Sequence, residues 1–187
     1  MTWHGTVHND SMNWTCGYCG KLVGGVVGYR KDPPDQEDHI YICPHCDNPT
    51  AFISSDFAIV QIPSPSYGEV IGGLPASVSE VYEEARRCFS CRSYTGTVLL
   101  LRKLLMHIAV EHGAEPGGSF VSYVERLADD GYIPPNGKGW VDEIRKMANE
   151  ATHELVTMGR EDAERLLDFS EMLLRFVYEF PSRIRPS

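Results

Sequence analysis

A chain of 187 residues is long enough for one ordinary domain, or for a mini-domain joined to a helical one. Three basic against eight acidic residues precede Pro75, and 14 against 18 follow from it onward, for a net charge of −9. Neither half is therefore a basic arm for gripping polyphosphate, and the absence of an apolar run of about 18 residues excludes a membrane-spanning helix.

The opening MTWHGTVHND lacks the charged-then-apolar pattern of a signal peptide, so a cytoplasmic protein is expected. There, six cysteines serve as metal ligands or buried thiols before they serve as disulfides. Composition divides the chain into a front segment over residues 1–62, a Pro/Gly-rich extended linker over 63–76, and a helix-patterned body over 77–187. In the front segment Leu22 to Tyr29, Ile40 to Ile42 and Ala51 to Val60 are β-branched or apolar runs bounded by turn residues, as in hairpin strands. The polar Lys31 to Asp38 insert, with two prolines, is a loop. So small a segment has few bulky apolar residues and needs a staple to hold its shape.

In the body, Ser77-Val78-Ser79-Glu80 has capping-box spacing and opens a first helix carrying Val78, Val81, Tyr82, Ala85 and Cys88 or Phe89. A second runs from about Gly96 to His112 and stops at Gly113, and a third follows Ser119 and ends at Asp129-Asp130-Gly131. After the Pro134-Pro135-Asn136-Gly137 turn, a fourth carries Trp140 to Ala151, and a fifth carries Ala163 to Tyr178 and is stopped by Pro181. About five amphipathic helices with short joins predict an antiparallel helical bundle.

Cys16-Gly17-Tyr18-Cys19 and Cys43-Pro44-His45-Cys46 are two Cys-x-x-Cys knuckles with 23 residues between them. Each knuckle turns two sulfurs the same way, and two knuckles supply the four thiolates of a closed tetrahedral site for one structural Zn2+. A redox pair would call for one such motif beside a βαβ pattern, and a catalytic zinc would keep a position open for water. His45 sits inside the second knuckle with its ring expected to point away from the metal; His39 is likewise no ligand, and His4 and His8 fall in a loose amino terminus. Cys88 and Cys91 form a third such spacing within a helix, where small buried hydrophobes are the expected role.

The helical stretches PASVSEVYEEARRCFSC, TVLLLRKLLMHIAVEHG, WVDEIRKMANEATHE and EDAERLLDFSEMLLRFVYEFPSRI, between Leu74 and Ile184, resemble the bacterial "domain of unknown function 4145" family, and the front segment resembles the ribbon that often precedes that domain. The resemblance implies a small β zinc ribbon followed by an all-α bundle related to the HEPN (higher eukaryotes and prokaryotes nucleotide-binding) superfamily, encoded beside phage-defence genes. Many HEPN proteins are metal-independent ribonucleases with an arginine, four to six intervening residues and a histidine on one helix, two such helices meeting across a dimer. Histidine supplies the acid or base near neutral pH and arginine the fixed cation for the phosphate transition state.

By that resemblance His153, with Asn149 before it, is the candidate catalytic histidine. The arginine position departs from the pattern: with four, five or six residues intervening it holds Ala148, Met147 or Lys146, and Arg145 lies one step too far. Lysine keeps the charge without the planar fork. A histidine near a helix end also serves structurally, so catalysis is not expected.

Arg86, Arg87, Arg92, Arg102 and Lys103 form a weak candidate strip for nucleic acid, against ordinary surface pairing with Glu83, Glu84 and Glu111. Trp3, Trp14 and Trp140 are read as packing residues rather than stacking platforms. The resulting expectation is a non-catalytic, dimeric interaction module that binds a protein or RNA partner in a phage-defence or mobile-element setting. The alternative is a HEPN-type ribonuclease using His153.

Overall fold

The structure, a computed structural model, describes residues 3–31, 38–55, 58–134, 139, 141–142, 144 and 157–184. The chain divides into two compact units, Met1–Ser66 and Tyr67–Ser187.

The first unit is an antiparallel sheet of five strands in sequential order: β1 (Val7–Thr15), β2 (Leu22–Arg30), β3 (His39–Ile42), β4 (Pro49–Ser54) and β5 (Ile59–Ile62). Trp14 pairs with Val23, Tyr41 with both Gly28 and Thr50, and Phe52 with Gln61. Two features differ from expectation. The run Ala51 to Val60 is split between β4 and β5 by a turn in which the Ser55 backbone N–H and hydroxyl both donate to the Ala58 carbonyl, at 2.9 and 2.8 Å. The amino terminus is not loose either: β1 takes up Val7 to Thr15 with a bulge between His8 and Met12, and Trp3 Nε1 donates to the Asp47 carbonyl at 3.0 Å. Gln61 of β5 reaches the Thr15 carbonyl of β1 at 2.7 Å, so the two sheet edges are tied by a side chain.

The core of this unit is small. Trp14, Tyr41 and Phe52 make a three-ring cluster with centroids 5.4 to 6.0 Å apart, joined by buried Cys16 and Cys43. Three rings and two sulfurs are little apolar area for a unit of this size, which is the condition under which a fold depends on a cross-link or a metal.

The second unit has, among the described residues, four helices rather than five: α1 (Ala76–Ser90), α2 (Tyr94–Glu111), α3 (Phe120–Asp129) and α4 (Arg160–Leu174). The expected fourth helix falls mostly outside the described residues. Its described members Gly139, Val141, Asp142 and Ile144 are helical, with Val141 and Ile144 buried. α2 packs against α1, α3 and α4, which is why its apolar residues extend round more than one face. Leu101, Leu105 and Ile108 from α2 meet Val124 and Leu127 from α3 and Leu166, Leu167 and Leu173 from α4 in one buried cluster. Ahead of α1, Ile71 is buried in that core, with Tyr67 and Leu74 packed against it. No helix among the described residues is long and apolar enough to cross a membrane.

Helix ends correct the sequence reading twice. α1 begins at Ala76 with Pro75 as its cap and no side-chain cap bond, so Ser77 and Glu80 do not form the expected capping box. At its other end, α4 is not stopped by Pro181. It passes through a π-helical turn, Arg175–Glu179, into a last helical segment, Phe180–Ile184. In a regular α-helix the Pro181 ring would strike the Val177 carbonyl; the wider π turn just before it opens that spacing.

α1, α2 and α3 end alike. In α3 the Tyr132 N–H reaches the Leu127 carbonyl and the Gly131 N–H that of Ala128; in α2, Ala114 reaches Ala109 and Gly113 reaches Val110; in α1, Ser93 reaches Cys88 and Arg92 reaches Phe89. This closure needs a left-handed residue just past the helix, supplied by Gly131 and Gly113 but in α1 by Arg92 at φ 63°. An L-residue there is strained, so Arg92→Gly is expected to stabilise the helical unit by about 0.5 to 1 kcal/mol. Chemical denaturation followed by far-ultraviolet circular dichroism measures it, and an unchanged or lower midpoint refutes it.

Candidate metal centre

In a sequential sheet, the β1–β2 and β3–β4 turns fall at the same end. Those two turns are the two cysteine knuckles, so pairing the strands is what brings the four sulfurs together. The turns are built alike. The Cys16 N–H donates to the Lys21 carbonyl and the Gly20 N–H to Cys16, while the Cys43 N–H donates to Asn48 and the Asp47 N–H to Cys43, all at 2.9 Å. Gly20 and Asp47 hold the same left-handed position in the two turns, at φ 68° and 59°. The first turn also lies so close to the chain after β5 that a Cβ on Gly17 would collide with the Pro63 and Ser64 carbonyls, which leaves glycine as the residue that fits.

The sulfurs of Cys16, Cys19, Cys43 and Cys46 all lie within 4.8 Å of one another, with Cys16 to Cys46 at 3.7 Å and Cys19 to Cys43 at 3.9 Å. A tetrahedron of sulfurs about 2.3 Å from a central ion has edges of about 3.8 Å, so these four fit one metal ion. Among the described residues this is the one cluster of three or more histidine, cysteine or acidic side chains arranged to hold a metal. Cys16 and Cys43 are buried, and Cys19 and Cys46 are half-buried. Burial pushes the Cys19 and Cys43 thiols up. In Cys46 burial acts in the same direction but is outweighed by hydrogen bonds from Asn48, whose Nδ2 lies 3.5 Å from the sulfur, and from the Cys43 and Cys16 thiols, and the thiol is brought down to about 7. Asn48 thus supports a thiolate from outside the sulfur set. His45 is outside the cluster, with Nε2 2.6 Å from Lys21 Nζ.

The other candidates scatter. His153, Asn149, Lys146 and Arg145 lie outside the described residues, as does Trp140. Arg86 does not belong to a surface strip: it is 5% exposed and donates inward to the Tyr67 and Gly68 carbonyls at 2.9 and 2.7 Å. Arg102 stacks over Phe120 at 4.7 Å, leaving Arg87, Arg92 and Lys103 exposed. Cys88 is half-buried and Cys91 exposed, so this pair is not the buried filling expected of it. Trp14 is in the sheet core, and Trp3 packs edge-on to Tyr29 at 6.3 Å.

Arg102-Lys103-Leu104-Leu105-Met106-His107 on α2 has an arginine, four intervening residues and a histidine, the spacing sought at His153. Apolar periodicity drew attention to that stretch as core. In the structure His107 is exposed and Arg102 partly buried.

A five-strand sheet with a four-sulfur cluster, followed by a separate helical unit, defines a two-part protein with a candidate metal centre in its front half. The family described as Domain of unknown function (DUF4145) matches residues 83–185, more than half of the chain, and the chain belongs to that family. No curated protein and no solved structure matches it.

Proposed function

We propose that the chain is a non-catalytic interaction module, in which a zinc ribbon closed by Cys16, Cys19, Cys43 and Cys46 precedes a HEPN-like helical unit that pairs with a second copy and binds a protein partner in a phage-defence or mobile-element context. The observation that carries this reading is the closed set of four sulfurs. With every tetrahedral position taken by protein, the ion contributes shape rather than Lewis-acid chemistry. Six free cysteines fit a reducing, cytoplasmic setting, where zinc thiolates persist and disulfides do not. The acidic front half favours a protein over RNA, since ribbons that grip nucleic acid present basic faces.

The test is a salt series with fluorescent single-stranded RNA, alongside light scattering of the full chain. No RNA binding at 50 to 200 mM salt and twice the mass of one 20.9 kDa chain are expected. Steeply salt-dependent RNA affinity overturns the protein-partner reading.

A second reading, the HEPN-type ribonuclease, gains support from the Arg102 and His107 spacing. Five positions apart on a helix, the two side chains lie about 140° apart around its axis, so this reading needs a second protomer or another cation to complete the pair. RNA cleavage above background that disappears in both His107→Ala and His153→Ala would establish it in place of the first.

A further inference from the structure

A cavity of about 450 Å3 opens in the helical unit between the end of α2, the stretch before α1 and the π-helical turn of α4. We propose that it is a binding site for an organic cation, an ammonium or guanidinium group, held beside the Tyr178 and His112 rings by the Glu111 carboxylate. This goes beyond the interaction-module reading and does not depend on it.

Three features converge on a cation. The walls include the His112 and Tyr178 rings, with centroids 6.3 Å apart and planes inclined at 57°. Tyr132 backs the histidine at 4.7 Å, and its hydroxyl lies 2.9 Å from Nδ1, so the ring is fixed in place. A fixed tyrosine ring attracts a cation more than a neutral or anionic group. The second feature is charge. Glu111 is the acidic lining residue, and it accepts a 2.7 Å hydrogen bond from the Tyr178 hydroxyl, which aims it while leaving oxygen lone pairs free. Among the described residues no basic side chain pairs with it. Arg175 and Arg183, on the π turn and the segment after it, pair with Glu171 and Glu179 at 2.8 Å. Third, the site lies at the carboxyl end of the 18-residue α2, where the helix dipole is negative. The π turn that carries Val177 and Tyr178 into the cavity wall is an uncommon element that recurs at functional sites.

A lysine- or arginine-like side chain, or a free polyamine, has the required chemistry. The probes are therefore Nα-acetyl-lysine methylamide, Nα-acetyl-arginine methylamide and spermidine, with inorganic phosphate as the anionic control. Each is titrated into the 15N-labelled full chain while amide shifts are followed. Saturable shifts at Gly73, Glu111 to Gly113 and Tyr178 are expected with a cationic probe. Response to the capped amino acids alone assigns a peptide side chain as the source, and response to spermidine alone assigns a free amine; either upholds the proposal. Glu111→Gln, at an exposed position, should weaken binding about tenfold. No saturable shift, a response to phosphate instead, or affinity unchanged by Glu111→Gln overturns it.

Discussion

Stripping the metal is expected to unfold the sheet unit and leave the helices standing. The purified chain should carry one zinc per molecule by elemental analysis. A strong chelator should then abolish amide-exchange protection in β3 and β4 while the helical circular dichroism signal persists. The size of the effect follows from the core. Trp14, Tyr41 and Phe52 with two sulfurs cannot by themselves offset the ordering of some sixty residues at about 1 kcal/mol or more each. Structural zinc supplies about 10 to 16 kcal/mol of apparent binding energy in small domains that fold only with metal. Cys43→Ser, at a buried position, should lose both the ion and sheet protection. Full protection of β3 amides in chelator, or a protein free of metal after native purification, defeats the prediction.

The second large effect is expected at Arg86. Its guanidinium is enclosed and makes four hydrogen bonds: Nε to the Tyr67 carbonyl, Nη2 to Gly68, and Nη1 to both oxygens of Glu83 at 2.9 and 3.0 Å, with Tyr82 beneath it at 5.8 Å. Those bonds bind the segment entering α1 to the helix itself, and Glu171 assists by accepting from the Glu69 N–H at 2.8 Å. Alanine would leave two carbonyls without their donor and a cavity where the side chain lay. We expect a loss of about 3 kcal/mol, and a thermal midpoint lower by about 10 °C. Arg86→Lys should recover only part of this, because one ammonium cannot span three acceptors. A midpoint within about 2 °C of the parent shows that the Arg86 bonds contribute little.

What could be read in advance, and what could not, follows from the kind of signal each residue carries. The knuckles were legible because cysteine spacing encodes a local turn whose chemistry needs no partner to be recognised. That they meet at one end of a sequential sheet depends on β1, and β1 was missed: Asn9, Asp10, Ser11 and Asn13 have poor strand propensity, and the strand is held by pairing with β2 and by Trp14 in the core. The glycine-terminated helices, α2 and α3, were placed well at their carboxyl ends. α1 closes the same way with Arg92, where nothing in the residue type announces a left-handed turn. The π turn before Pro181 was hidden for the opposite reason, since proline is ordinarily a sound stop signal. As for the cation cavity, its walls come from Gly73, Glu111 and Tyr178, far apart in the chain and joined only by tertiary packing.

The two knuckles present their sulfurs unequally, Cys16 and Cys43 sealed beneath the rings and Cys19 and Cys46 partly open to water. Traffic at this centre is therefore one-sided. An oxidant, a competing thiol or a softer ion would meet Cys19 and Cys46 before it reached the buried Cys16 and Cys43.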